Sequence, residues 1–393
     1  MATTTLDPQP ARDSKTPTPS PRSLQRRRPR AVTRAEILLT LTCGVSAVSL
    51  VWFVWYQLTG FSGAFGFLLG SVAVFLVLYY GVNRRLYGRM VAGDRVVAAL
   101  VTMGSVGITI VLALVIGFLI DKGHRLVFSG SWPFIHGHLF TQDQRTVSQL
   151  APASAGGIGH AIVGTAEQVG LAVLIGAPAG ISTAIFLNEV GGRITAAIRT
   201  VITAMSAIPS IVAGLFIYVL LITEFNYGFR GVAGSLALSI LLLPNITRTT
   251  EEVLKVVHGS LREASMALGA PEWRTVWSVV LPTARSGIAT AVLLGIARVV
   301  GETAPLLVTV SSATYFNANP FQHNPQEALP TFIWQYYQLP RSADIERAFA
   351  AGLVLVGIVL ILFVLARLIA SIKPGVFNRW ASRLKRTPLE VGA

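Results

Sequence analysis

Cysteine is nearly absent from the 393-residue chain. The one present, Cys43, lies inside an apolar run, so no intrachain disulfide can form. A buried thiol acting as a small hydrophobe is the expected role, and no Cys/His cluster carries the spacing of a zinc site. Charge is scarce as well: Asp, Glu, Lys and Arg make up 13% of the residues, against about 25% in a soluble domain. Hydrophobic residues reach 52% and the mean hydropathy is +0.61, so a bilayer rather than water is the expected solvent. A phosphate-cradling loop needs Gly-Lys-Ser/Thr. None of the five lysines (Lys15, Lys122, Lys255, Lys373, Lys385) follows a glycine, so the chain is not itself an ATPase of that type. A secretory leader is not expected either, because a long polar stretch precedes an apolar run too long for its hydrophobic region.

Basic residues exceed acidic ones, giving a net charge of +14. In a soluble protein that excess would suggest nucleic acid. Here the arginines and lysines gather in the tails and between apolar runs, the distribution of loops on the inner side of a membrane, and no nucleic-acid partner is expected. Residues 1–34 are rich in Pro, Ser, Thr and Arg, with little to bury, and are read as a disordered basic tail. Its cluster Arg26-Arg27-Arg28-Pro29-Arg30 would hold the N-terminus inside and attract anionic membrane lipid.

A helix needs about 20 mostly apolar residues to cross the bilayer. The candidates are Ile37–Leu58, Ala64–Val82, Val96–Ile120, Val169–Leu187, Ile198–Ile222, Val232–Ile246, Ile288–Val310 and Ala348–Ile372. The sixth is short, with sequence suited to continue toward Thr250 as a tilted or protruding helix. The fold class is therefore an all-α polytopic membrane protein of about eight spans. Loop 83–95 carries Arg84, Arg85, Arg89 and Arg95 against Asp94, and the C-terminal tail (374–393) is again basic. An even number of spans with both termini cytoplasmic fits this bias. The expected division is the tail, two N-terminal helices with their loop over 35–95, a transmembrane domain over 96–373, and the second tail.

Two connections are long. Residues 121–160 are polar with scattered aromatics (Trp132, Phe134, Phe140) and are placed outside; residues 247–286 read as amphipathic helices on the inner side. In the second, Leu261, Ala264, Ala267 and Leu268 form an apolar stripe at helical spacing, with Arg262 and Glu263 beside it. Gly269 can take positive φ and end this helix, and Pro271 can begin the next. Such a helix suits a groove on another protein, or alternatively the membrane surface.

Charge also falls inside a span. Arg298 and Glu302 are four apart, so on a continuous helix they share a face and can pair. Charge at mid-bilayer costs about 2.5–3.5 kcal/mol on insertion scales and should face the bundle interior or water. Two roles stand open, a structural ion pair and a basic site for an anion with Glu302 as counter-charge. Pro305 would kink or interrupt the helix just beyond. Arg248, near the end of the sixth span, is either a positive-inside anchor or a second basic residue on an anion path.

The segment from Glu263 to Pro282 resembles the EAA motif of ABC importer permeases: Glu-Ala-Ala, three residues, Gly, nine residues, Ile-x-Leu-Pro. Glu263, Ala264, Gly269, Leu281 and Pro282 match with the spacing intact; Ser265 stands in place of the second Ala and Val279 in place of Ile. The resemblance implies a coupling helix docked on an ATPase subunit through Leu261, Glu263, Ala264, Leu268 and Gly269. The Gly301-Glu302-Thr303-Ala304-Pro305-Leu306-Leu307 run is similar to the PstA-like, phosphate-importing branch, as are Asn245-Ile246-Thr247-Arg248, Ala207-Ile208-Pro209-Ser210 and Asn188-Glu189-Val190. That similarity implies a type I importer permease core of six helices with two added in front, and phosphate passage by way of Arg248 and Arg298, with Glu302 as partner. It further implies a PstC-like permease as heterodimer partner, a PstB-like ATPase dimer and a PstS-like phosphate-binding protein, in a bacterial plasma membrane. No catalytic residue, metal or cofactor is expected on this chain, ATP and Mg being used by the ATPase. The alternatives are an importer permease for another oxyanion (sulfate, molybdate or phosphonate), a transporter driven by an ion gradient, and a structural membrane scaffold.

Overall fold

The computed structural model describes residues 34–128, 134–148 and 150–371. The tails expected at the two ends, Arg34 aside, together with Trp132 and Ile372, lie outside the described residues. Secondary structure among the described residues is helical apart from one isolated bridge, Phe128 to Ile135. The chain forms two compact units, one running to Val111 and one from Leu112.

In the first unit α1 (Arg34–Trp52) runs into a π-helical turn at Phe53–Leu58 and pairs with α2 (Ala64–Tyr87); α3 (Arg89–Val127) follows at once. The expected loop over 83–95 is therefore almost wholly helical. Gly88, at φ +86°, is its single-residue joint. Arg95 fastens the three helices, donating to Asn83 Oδ1 at 2.7 Å and Glu36 Oε1 at 2.5 Å while stacking 4.1 Å from the Tyr87 ring centre. A residue read as an orientation signal is thus a structural clamp.

The second unit begins with the last part of α3, then α4 (Gly137–Thr141) and α5 (Gly159–Ile185), which widens into a π turn at Phe186–Val190. Next come α6 (Thr195–Ala207) and α7 (Ser210–Ile217, with a π turn to Glu224), bent by 101° at their junction. The expected continuous fifth span is broken here. Apolar residues continue across the junction, but Ile208 precedes Pro209 and takes an extended conformation at ψ 126°, which the proline ring imposes on its neighbour. α8 (Gly231–Val256) extends ten residues past the expected Ile246. The small α9 (Gly259–Ala267) and α10 (Glu272–Thr275) lead through a π turn at Val276–Val280 into α11 (Leu281–Val299). The expected amphipathic connection over 247–286 thus contracts to residues 257–271, its ends belonging to long helices. The wide turn immediately precedes Pro282, which has no N–H to give an α-helical ladder. The seventh span, expected to reach Val310, stops at Val299, and α12 (Ala304–Thr309) starts afresh with Pro305 in its first turn. α13 (Leu329–Tyr337) and α14 (Ser342–Ser371) complete the unit. Among the described residues seven helices are long and apolar enough to span a membrane, or eight if the bent α6/α7 pair is one span.

The core lies between α5 and α8, the most extensively packed helix pair. Leu238, Leu242 and Ile246 of α8 are fully buried against Val169 and Ala172 of α5 and Val299 of α11. Small residues let the backbones close up, as in bilayers generally. A Cβ on Gly214 would fall 2.6 Å from Pro305 Cα, so α7 and α12 touch main chain to main chain.

The segment 311–328 and the first residue of α13 are tied to α5 by polar side chains. Gln168 Nε2 donates to the Gln326 carbonyl at 3.1 Å, and the Leu329 N–H donates to Thr165 Oγ1 at 2.8 Å. Glu327 is buried beside them, accepting from the Ala313 N–H at 3.0 Å and from the Thr331 hydroxyl. Burial pushes its carboxyl from 4.5 up to about 7, the Thr331, Ala313 and Ala328 hydrogen bonds pulling back only part of the way. Between those values the folded chain holds a proton that the unfolded chain has lost, so stability should fall as pH rises from about 4.5 to about 7 and level off above. Glu327→Gln should flatten this slope, measured as the melting midpoint of the purified chain in detergent from about pH 5 to pH 8.

Candidate functional site

A polar cavity of about 160 Å³ opens where the α6/α7 break meets α8 and the end of α11. Met205, Ser206, Ile208 and Ser210 line it from the break, Leu241, Pro244 and Asn245 from α8, and Arg298, Val299 and Glu302 from α11 and the turn after it. Each wall follows from a local sequence rule. Pro209 turns the chain so that Ser206 and Ser210 flank one corner. Pro244, within α8, cannot donate to the ladder, and Asn245 beside it caps the Leu241 carbonyl through Nδ2 at 2.9 Å. That leaves Asn245 Oδ1 to accept from Arg298 Nη1 at 3.0 Å.

Arg298 and Glu302 do not pair. No ion pair within 4.0 Å joins them, because the helix ends at Val299 and the following turn removes the fourfold helical register. The structural ion pair considered from their spacing is therefore absent; both side chains line the cavity instead. Arg298 is exposed, and among the described residues its one hydrogen bond is to Asn245. A guanidinium carries five N–H donors, so most remain for an anion in the cavity. Arg248 lies elsewhere. It is exposed on α8, one turn beyond Asn245, does not line the cavity, and makes no hydrogen bond or ion pair among the described residues. It sits two turns before the end of α8, which continues past it through Glu251, Glu252 and Lys255.

The coupling-helix residues form a second site on α9 and the turn after it. Leu261, Glu263, Ala264, Leu268 and Gly269 are all exposed, and no residue of α9 is buried. Gly269 takes φ +83° and ends the helix as expected. Leu268 is 90% and Leu261 43% exposed, so the apolar stripe is unpartnered within this chain. Ser265, the departure from the EAA pattern, has a place: its hydroxyl lies 2.8 Å from that of Thr275 and ties α9 to α10. A third polar group went unread as a site. Arg262 forks onto Glu189 with Nε to Oε2 at 3.0 Å and Nη2 to Oε1 at 2.7 Å. Asn245, Ser206 and Ser210 do not stand out in the sequence as site residues, and Arg262 stands out only as flanking the stripe; Asn245 and Arg262 meet partners distant in the chain, and the nearest signal was the position of Asn245 between Pro244 and Arg248.

Long apolar helices, a polar cavity bearing an exposed arginine and an unpartnered amphipathic helix together describe a membrane protein with a surface left free for another chain. Residues 176–372 match the family model described as binding-protein-dependent transport system inner membrane component, and the chain belongs to that family. It is a multi-pass membrane component of such a system. The phosphate transport system permease protein PstA 1 of Mycobacterium tuberculosis (strain ATCC 25618 / H37Rv) is 39% identical over 60% of this chain and 74% of the relative. PstA of Xylella fastidiosa (strain 9a5c) is 38% identical, over 55% of this chain and 75% of the relative. For PstA of Haemophilus influenzae (strain ATCC 51907 / DSM 11121 / KW20 / Rd) the identity is 37%, over 60% and 82%.

Proposed function

We propose that the chain is a permease subunit of an ATP-driven phosphate importer, and that the Arg298 cavity belongs to the phosphate path. The observation that carries this is an unpaired arginine facing a small polar cavity, in a chain whose relatives are phosphate transport permeases. Arginine suits a tetrahedral oxyanion because its planar donors reach two oxygens at once and its charge persists at every working pH. Asn245 aims the guanidinium; Ser210 adds a hydroxyl, and the start of α7 adds backbone donors without partners inside the helix. Glu302 balances the arginine charge when the cavity holds no anion. Affinity resides mainly in an external phosphate-binding protein, since a path that binds tightly would trap its cargo. A sister permease completes the path, and an ATPase dimer drives it by docking on α9 at the cytoplasmic side, where both termini also lie. ATP is hydrolysed by that separate subunit.

The test is uptake of labelled phosphate into vesicles carrying the whole complex. Uptake should require ATP, be blocked by vanadate, and be displaced by unlabelled phosphate but not by sulfate, molybdate or phosphonate at equal concentration. Displacement by one of those three in place of phosphate would assign the chain to that oxyanion. Uptake indifferent to vanadate would point to an ion-gradient mechanism.

A further inference from the structure

α9 has no buried residue, so packing alone does not fix it to the bundle. Arg262 does. Besides the fork onto Glu189, its Nη1 donates to the Val257 carbonyl at 2.8 Å and its Nη2 to the Leu254 carbonyl at 3.1 Å. One guanidinium thus joins three elements: α9, the end of α8, and the π turn that ends α5. The Glu189 side chain is only 7% exposed and also accepts from Asn188 Nδ2 at 2.6 Å, so the acceptor is held in place before the arginine reaches it. Charge-assisted, two-pronged pairs of this kind fix direction as well as distance. The exposed stripe of Leu261 and Leu268 is the part of α9 left available to a partner.

From this geometry we infer that the Arg262–Glu189 fork is the positioning pair that passes motion of α9 to α5, and hence sets how many phosphate ions move per ATP. The inference rests on the reading of α9 as the ATPase-docking helix. When α9 is displaced, the two carbonyl bonds carry the displacement to the end of α8, and the fork carries it to the turn that ends α5 beside it. α5 and α8 form the core of the unit, so both must move together if the cavity is to open as one body. Without the fork α9 still holds to α8 through the carbonyls and still docks, but its displacement reaches α5 only through the α5–α8 packing and not directly at the Glu189 turn.

Two variants test this in the reconstituted complex with its ATPase, sister permease and binding protein. Glu189→Gln keeps shape and removes the charge; Arg262→Lys keeps the charge and removes the planar fork. Each should leave the ATPase subunit bound at the wild-type level and ATP hydrolysis substantial, while phosphate transported per ATP falls at least about fivefold, the lower end of a typical coupling energy. The double variant should be no worse than Arg262→Lys alone, since Arg262→Lys already removes the fork that Glu189→Gln breaks. Uptake and hydrolysis falling in proportion would mean that the pair merely holds α9 folded, and would overturn the proposal. So would an unchanged ratio, or losses that add in the double variant. If the wild-type complex itself showed no vanadate-sensitive phosphate uptake, the functional reading would fail instead, and the two failures are distinct.

Discussion

Arg298→Ala is expected to lower phosphate uptake by about two orders of magnitude, equivalent to about 2.7 kcal/mol of barrier, while the complex still assembles. The size follows from what the side chain does. It is the basic residue lining the cavity, its bonds to an oxyanion would be charge-assisted, and such bonds contribute about 1.5–3 kcal/mol each. Assembly should survive because among the described residues Arg298 has a single partner, Asn245, and no ion pair whose removal would strand a buried carboxylate. Arg298→Lys should recover part of the rate, since it restores the charge without the fork. The check is labelled phosphate uptake beside copurification of all subunits. Full uptake by the alanine variant, or loss of the complex, would remove Arg298 from the path. Arg248→Ala should have the smaller effect, because Arg248 lies outside the cavity wall.

The other large effect is expected at α9. Leu268→Asp should weaken binding of the ATPase subunit about a hundredfold, from burying an unpaired carboxylate in an apolar groove. Leu268 is 90% exposed in this chain and touches no core, so the fold itself has little reason to change. The measurement is retention of the ATPase subunit on the purified permease, alongside the melting midpoint of the permease alone. Retention at the wild-type level would rule out this face of α9 as the docking surface. The contrast with Glu189→Gln is diagnostic: one variant should lose the partner, the other keep it and lose the work it does.

The spans were legible because hydropathy over about 20 residues reports burial in lipid directly, and α1, α2 and α14 begin and end close to where the apolar runs do. α9 was legible for a different reason, a helical stripe ended by Gly269 and restarted after Pro271. What failed was continuity. Hydropathy does not register a backbone break, so Ile198–Ile222 read as one span although Pro209 divides it, and in Ile288–Val310 the interruption expected at Pro305 already begins after Val299. The second error produced the expected Arg298–Glu302 pair, which needed a helical register that the chain abandons after Val299. Arg298 and Glu302 were still found, because charge in an apolar run is visible whatever the backbone does. Asn245 was not, since its partner is 53 residues away and an asparagine in a helix carries no local signature. Arg262 was seen as flanking the stripe, while Glu189, 73 residues earlier, gave no sign of being its acceptor.

The right-angled joint between Ala207 and Ser210 has a consequence for hydration. The opening turn of a helix presents amide hydrogens that no carbonyl of its own satisfies, and hydrocarbon offers them nothing. A chain folded this way within a bilayer needs solvent or another polar partner at that elbow, so the joint should stay hydrated whatever the helices around it do.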